Sequence, residues 1–211
     1  MSTIRSLFNV FSLYLSFGFL HGLRAFLRIL ILPFWKIDKA FPKKGVIIDI
    51  GCGDGGLTNY LALKNRNRIM VGIDMSKDRI GLAKKTVKNR KNIQFIKENA
   101  VTMSFNKADG KLLVDVFHHI SFHDQEILLK SLSKKMDKNA LLVIKEVDNS
   151  NFLPFWFGHV IEKILYTGQT IYTRSKEDWL VLFTSLDLSC KIESGSLFFP
   201  DSTLIFICKK I

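Results

Sequence analysis

Acidic residues are in short supply in this sequence. Nineteen Asp and Glu face 31 Lys and Arg, leaving a formal net charge of +12. Such a balance points to an anionic surface as partner, lipid headgroups or nucleic acid, set against the plainer reading of solvated helix faces. Cysteine is nearly absent. Cys52, Cys190 and Cys208 are odd in number and show no metal-ligand spacing, which argues against a metal site built on them. They fit small buried side chains in a reducing compartment. There is no internal repeat and no low-complexity linker, so 211 residues accommodate one domain with additions. No uniformly apolar run reaches the roughly 20 residues that a spanning helix needs. No small-residue cleavage site follows the first apolar segment, which argues against a secretory signal. Hydrophobic residues are plentiful, at 47% of the chain. They supply a full core and leave some over for membrane contact.

Two segments hold most of the excess charge. Residues 1–44 carry seven basic residues against Asp38 alone, a net +6. Residues 64–91 carry ten against Asp74 and Asp78, a net +8. The first segment is also apolar: residues 7–23 have no formal charge, and Ala25 to Phe34 is interrupted only by Arg28. On a helical wheel Arg5, Asn9, Ser12 and Ser16 share one side. His21, Arg24 and Arg28 share another, after a break at Gly18. A narrow polar stripe beside a wide Phe- and Leu-rich face suits a helix lying in a membrane interface. It suits a helical lid over a substrate pocket equally well. Residues 1–41 therefore read as a helical appendage, and residues 42–211 as the folded domain.

Val46-Ile47-Ile48-Asp49-Ile50 reads as a buried parallel strand. Gly51, Gly53, Gly55 and Gly56 break it, and Leu57 to Leu63 resumes with apolar residues at helical spacing. Glycine in such a turn lets the backbone approach a ligand, and the new helix aims free N–H groups at it. A second strand, Ile69 to Ile73, ends at Asp74, eighteen residues after Gly56. A carboxylate at that tip can accept hydrogen bonds from both ribose hydroxyls of a nucleotide-like ligand. Asp49 separates the candidate ligands, because a pyrophosphate is repelled by a nearby carboxylate and a cation is attracted.

With Asp49-x-Gly51-x-Gly53-x-Gly55 in place, the sequence resembles the class I S-adenosylmethionine-dependent methyltransferases. Their first motif is an acidic residue followed by three alternating glycines. The resemblance covers about residues 42–211 and is densest over 46–74. It implies a doubly wound, seven-stranded Rossmann-like α/β sheet with an N-terminal helical appendage, and S-adenosylmethionine as cofactor. It implies cofactor contacts at Asp49, Gly51, Cys52, Gly53 and Gly55 in the loop, and at Asp74 and Met75 at the second strand's tip. Asn99 and Ala100 follow the third strand, and Asp115 follows the fourth. The family usually places an Asp where Asn99 stands, to bond the adenine amino group. Asn99 offers a carbonyl oxygen with less charge assistance, and Glu98 is a substitute.

The remaining elements follow from periodicity and caps. Ser76 is placed to cap a helix from about Lys77 to Asn89, with Ile80, Ala83 and Val87 toward the sheet. Asn92 to Ala100 gives a third strand with its exit loop, Lys111 to Ile120 a fourth, and Ala140 to Asp148 a fifth. A helix from Gln125 to Lys135 lies between the last two. Asp115-x-x-His118-His119 resembles a motif of small-molecule methyltransferases, including those of quinone and lipid biosynthesis. It implies that Asp115 faces the methionine end of the cofactor. His119 is then the first candidate for a general base and His118 the second. The bland alternative is that one His caps a turn and the other packs. Asn149 to Ser175 is rich in aromatics, among them Phe155, Trp156 and Tyr172, and reads as a cover for an apolar acceptor or as core. Ser175 opposite Asp178 opens a helix to about Ser185. Cys190 to Ser194 and Thr203 to Cys208 form a closing antiparallel pair.

The expected activity is methyl transfer from S-adenosylmethionine to an apolar or lipid-like small molecule, by in-line displacement and without a metal. The expected place is the cytoplasm, or the cytoplasmic face of an anionic membrane. An RNA methyltransferase using the basic surface is the first alternative. Against it, no Asn/Asp-Pro-Pro-aromatic motif follows the fourth strand, and the cysteines form no catalytic pair. A noncatalytic membrane-bound scaffold with this fold is the second, and an NAD-dependent oxidoreductase the third.

Overall fold

The β-branched run before the glycines forms β1 (Gly45–Ile50), a central strand of a seven-stranded sheet. The computed structural model describes residues 2–148, 170–195 and 203–211. The other strands are β2 (Arg68–Asp74), β3 (Ile93–Lys97), β4 (Gly110–Val114), β5 (Leu141–Val147), β6 (Leu188–Ser194) and β7 (Thr203–Lys210). Their order is β3-β2-β1-β4-β5-β7-β6, with β7 antiparallel to both of its neighbours. The order reverses at β1, between β2 and β4. An open α/β sheet binds ligands at such a switch point, beyond the carboxyl ends of its strands.

The described helices are α1 (Thr3–Leu15), α2 (Phe19–Ile31), α3 (Phe34–Ala40), α4 (Gly56–Lys64), α5 (Lys77–Thr86), α6 (Phe122–Lys134) and α7 (Lys176–Thr184). Alternation along β1 sends Ile47 to one face and Ile48 and Ile50 to the other. The Ile47 face packs under α3, α4 and α5 through Ile37, Tyr60, Leu61 and Ala83. The opposite face packs under α6 and α7 through Leu128, Leu132, Trp179 and Phe183. Caps agree with the sequence: Ser76 accepts from the Arg79 N–H, and Ser175 and Asp178 close a reciprocal capping box. No helix among the described residues is long and apolar enough to cross a membrane. Instead α1 and α2 form a hairpin that contributes Val10, Tyr14, Ala25 and Leu32 to the Ile47-side core. They cross closely at Gly22, where a Cβ would come 2.8 Å from Leu15 Cδ1.

Several boundaries differ from the sequence reading. The lead-in to β1 contains α3. The α5 helix stops at Thr86, whose hydroxyl donates to the Ala83 carbonyl. The fourth strand ends at Val114 and does not run to Ile120: Asp115 turns at φ 55° and Phe117–His119 is a 3₁₀ turn. The cause is Glu146, whose Oε1 accepts from the N–H groups of both Val116 and Phe117. Cys190 and Cys208 face each other across the β6–β7 register and form a disulfide, with Cα atoms 4.0 Å apart. The cysteines therefore carry no argument for a reducing compartment. Among them Cys52 alone is a free buried thiol. Most of the aromatic stretch after β5, and most of the turn between β6 and β7, lie outside the described residues.

Arg68, at the start of β2, is 1% exposed. Its guanidinium pairs with the Asp38 carboxylate and donates to the carbonyls of Asp38, Phe41 and Pro42. It thus fastens the exit of α3 to the sheet. Removing one member of a buried pair leaves the other charge uncompensated, so Arg68→Met should cost about 3 kcal/mol. The double variant Arg68→Met/Asp38→Asn should recover part of that loss. Urea unfolding of the three proteins checks both outcomes.

Candidate active site

Asp49 lies on the face of β1 that meets α4, and it is 3% exposed. Its Oδ2 accepts from the Thr58 hydroxyl at 2.5 Å, on the first turns of α4. Burial pushes its pKa up to about 7; the Thr58 hydrogen bond and the Arg28 charge hold it down, and Asp74 pushes it up further. Beyond it the chain turns through Gly51, Gly53 and Gly55 at φ 72°, 58° and 86°. Side chains rarely adopt this left-handed region.

The loop is stitched to the tip of β2. The N–H groups of Gly51 and Cys52 donate to the Ile73 carbonyl at 2.7 and 3.0 Å. The Gly53 N–H donates to Asp74 Oδ2 at 2.9 Å, and the Ser76 N–H donates to Oδ1 at 2.8 Å. Both Asp74 oxygens are thereby aimed, and each keeps a lone pair for a further donor. Burial, followed by Asp49, Asp74 and Asp54, raises the Cys52 thiol well above its ordinary value, so it stays protonated.

The N-terminal hairpin reaches this loop. The Tyr14 hydroxyl donates to the Asp54 carbonyl and accepts from Asn59 Nδ2, which also donates to the Gly55 carbonyl. Burial, with Asp54 next, raises the Tyr14 phenol, so it acts as a neutral donor. Arg28 pairs with the Asp54 carboxylate at 3.5 Å. A Cβ on Gly53 would point between Arg28 and Arg79, 3.6 and 3.7 Å from their nitrogens. The sequence put Arg28 on a polar stripe and left Tyr14 unremarked. A phenol and a guanidinium inside apolar helices are the signals that the sequence carries.

The β4 and β5 tips supply the opposite wall. Lys145, inside the apolar run of β5, donates to Asp115 Oδ1 at 2.7 Å. Burial pushes the Asp115 pKa up, but Lys145, His118 and Arg28 together hold it below the usual carboxylate range. His118 is 1% exposed, and its Nδ1 lies 2.7 Å from Glu146 Oε2. The same Glu146 holds the turn below it. His119 is half-buried with its ring centroid 4.1 Å from that of His118. Lys145 and Glu146 were missed as partners, since a sequence cannot pair two strand tips. Asn99 is exposed, and its Oδ1 accepts from the Val101 N–H at 3.0 Å. Met75, after β2, is exposed, and Ala100, after β3, is half-buried.

Four carboxylates, from Asp49, Asp54, Asp74 and Asp115, thus surround one glycine loop. That donor set fits a ligand with a cationic centre and vicinal hydroxyls, as S-adenosylmethionine has, and disfavours a pyrophosphate. Arg28 brings a positive charge beside Asp54.

The glycines make separable predictions. A Cβ at Gly51 would collide with the Val116 side chain, so Gly51→Ala should lower the thermal midpoint. A Cβ at Gly53 meets nothing closer than 3.6 Å, so Gly53→Ala should cost only about 1–2 kcal/mol of backbone strain while reducing cofactor affinity. Asp49 predicts a pH dependence. A cationic ligand favours its ionised form, so affinity for S-adenosylmethionine should be flat above about pH 7 and weaken up to about tenfold per unit below it. Asp49→Asn should flatten that profile, as titration calorimetry across pH would read.

Residues 47–139 match the family described as methyltransferase domain. The chain is 28% identical over 135 residues to a probable (S)-tetrahydroprotoberberine N-methyltransferase of Papaver bracteatum, covering 62% of this chain and 37% of that one. It is 34% identical over 95 residues to a tRNA (guanine-N(7)-)-methyltransferase of Prochlorococcus marinus, covering 43% and 45%. The chain thus spans less than half the length of these curated relatives. Among solved structures it is similar to magnesium protoporphyrin IX methyltransferase from Synechocystis with bound SAH, at TM-score 0.65 and 19% identity, covering 84% of this chain and 79% of that one. The motif, the strand order and these likenesses agree, and the chain has the class I S-adenosylmethionine-dependent methyltransferase fold.

Proposed function

We propose that this protein transfers the methyl group of S-adenosylmethionine to an apolar, lipid-like small molecule. The observation that carries this reading is the glycine loop bent over buried Asp49 and locked by Gly53 N–H onto Asp74. In this reading Gly51, Cys52, Gly53 and Gly55 line the cofactor, and Asp74 takes the ribose hydroxyls. Met75, Asn99 and Ala100 flank the adenine, with Asn99 Oδ1 offering its second lone pair. Asp49 and Asp115 favour the cationic end. When bound, the cofactor supplies a methyl group on a sulfonium that leaves as a neutral thioether.

The chain's own task is alignment. It must hold the acceptor atom in line with the methyl and exclude water. A hydroxyl acceptor must also lose a proton. His119 is our candidate to take it, because Glu146 engages the ring of His118 and leaves that histidine a positioning role. The support for a small acceptor is the likeness to magnesium protoporphyrin IX methyltransferase. RNA remains a second reading, favoured by the +12 charge and the tRNA methyltransferase likeness.

Incubation with methyl-labelled S-adenosylmethionine and a total cell extract tests both. Label should enter the organic phase on partition; label confined to RNA, or none at all with cofactor bound, overturns the proposal. With a hydroxyl acceptor, His119→Ala should lower kcat by about 10²–10⁴-fold and leave cofactor affinity unchanged. An unchanged kcat removes His119 as the base.

A further inference from the structure

The α1–α2 hairpin has two unlike faces. One face holds Tyr14 and Arg28 against the glycine loop. The other turns large apolar side chains to solvent. Ile4 and Phe8 on α1 are 81% and 65% exposed, and Phe19 and Leu20 on α2 are 74% and 70% exposed. Leu23, Phe26 and Leu27 continue that face at helical spacing. Soluble surfaces rarely carry so many neighbouring apolar side chains without a partner.

A second surface lies beside it. About a quarter-turn round α1 from Ile4 and Phe8, Arg5, Asn9 and Ser12 line two adjoining shallow clefts. Lys43, Lys64 and Arg66 line one wall, and Lys88 and Lys91 another, with no carboxylate among the described lining residues. An apolar strip flanked by concentrated positive charge matches the boundary between acyl chains and anionic headgroups. RNA would account for the clefts and leave the apolar strip unexplained. A second copy would cover the strip while bringing two strongly basic surfaces together.

We propose that the exposed face of the α1–α2 hairpin, with the basic clefts beside it, docks on an anionic lipid bilayer surface. Ile4, Phe8, Phe19 and Leu20 enter the acyl boundary, and the arginines and lysines stay at headgroup level. Both helices are 13 residues long, which suits lying in the surface. This inference goes beyond the proposed reaction and holds whatever molecule is methylated.

The test is flotation of the full chain with phosphatidylcholine vesicles, with and without phosphatidylglycerol. Binding should require phosphatidylglycerol and fall as salt rises. Phe8→Ser/Phe19→Ser alters only solvent-exposed side chains, so its thermal midpoint should hold while vesicle binding drops at least about tenfold. Lys88→Glu/Lys91→Glu should weaken binding to the anionic vesicles by about tenfold. Three results overturn the proposal. The chain stays at the bottom of every gradient; or the Phe8/Phe19 variant floats as the wild type does; or sedimentation velocity shows a dimer that this variant dissolves. RNA binding that the lysine reversals abolish, together with absent vesicle binding, reassigns the clefts to nucleic acid.

Discussion

Everything at the site depends on one backbone bend. After β1 the chain turns through three left-handed glycines, and the Gly53 N–H is captured by Asp74 at the end of β2. That hydrogen bond joins the exit of β1 to the tip of β2 and orients the Asp74 carboxylate at the same time. The bend also closes over Asp49, a buried carboxylate that accepts from the Thr58 hydroxyl. A carboxylate in that state favours a positive charge nearby. The geometry thus suits a cationic ligand.

The hairpin of α1 and α2 depends on the same bend from the other side. Tyr14 and Arg28 hold Asp54, the first through its carbonyl and the second through its carboxylate. Asn59 then links the Tyr14 hydroxyl to Gly55 and to Thr86. An N-terminal segment that looks peripheral by composition is in this way part of the cofactor loop's support. Its outer face has no such partner among the described residues, and the physical contrast between the faces lies within single helical turns.

Glu146 organises the opposite wall. One carboxylate oxygen takes two backbone N–H groups and the other takes His118. Without those acceptors the donors of a buried turn would be left unpaired, at a cost of about 1–3 kcal/mol each. The same carboxylate ends β4 early and lifts Asp115 into its left-handed conformation, where Lys145 meets it.

Much of this was legible in residue order. β-branched runs predicted the strands, the alternating glycines predicted the loop, and Asp74 stood where a second strand had to end. Ser76, Ser175 and Asp178 marked helix starts because caps are local chemistry, complete within four residues. Sequence alone also showed that residues 1–41 are amphipathic. It left open what the segment covers, because amphipathicity gives two faces without saying which one is buried. Only the tertiary structure decided that Tyr14 and Arg28 turn inward while Phe8 and Phe19 turn outward. The same holds for Lys145 with Asp115, Glu146 with His118, and Cys190 with Cys208. Each pair lies at least 18 residues apart in the chain, and only the register of neighbouring strands brings its members together.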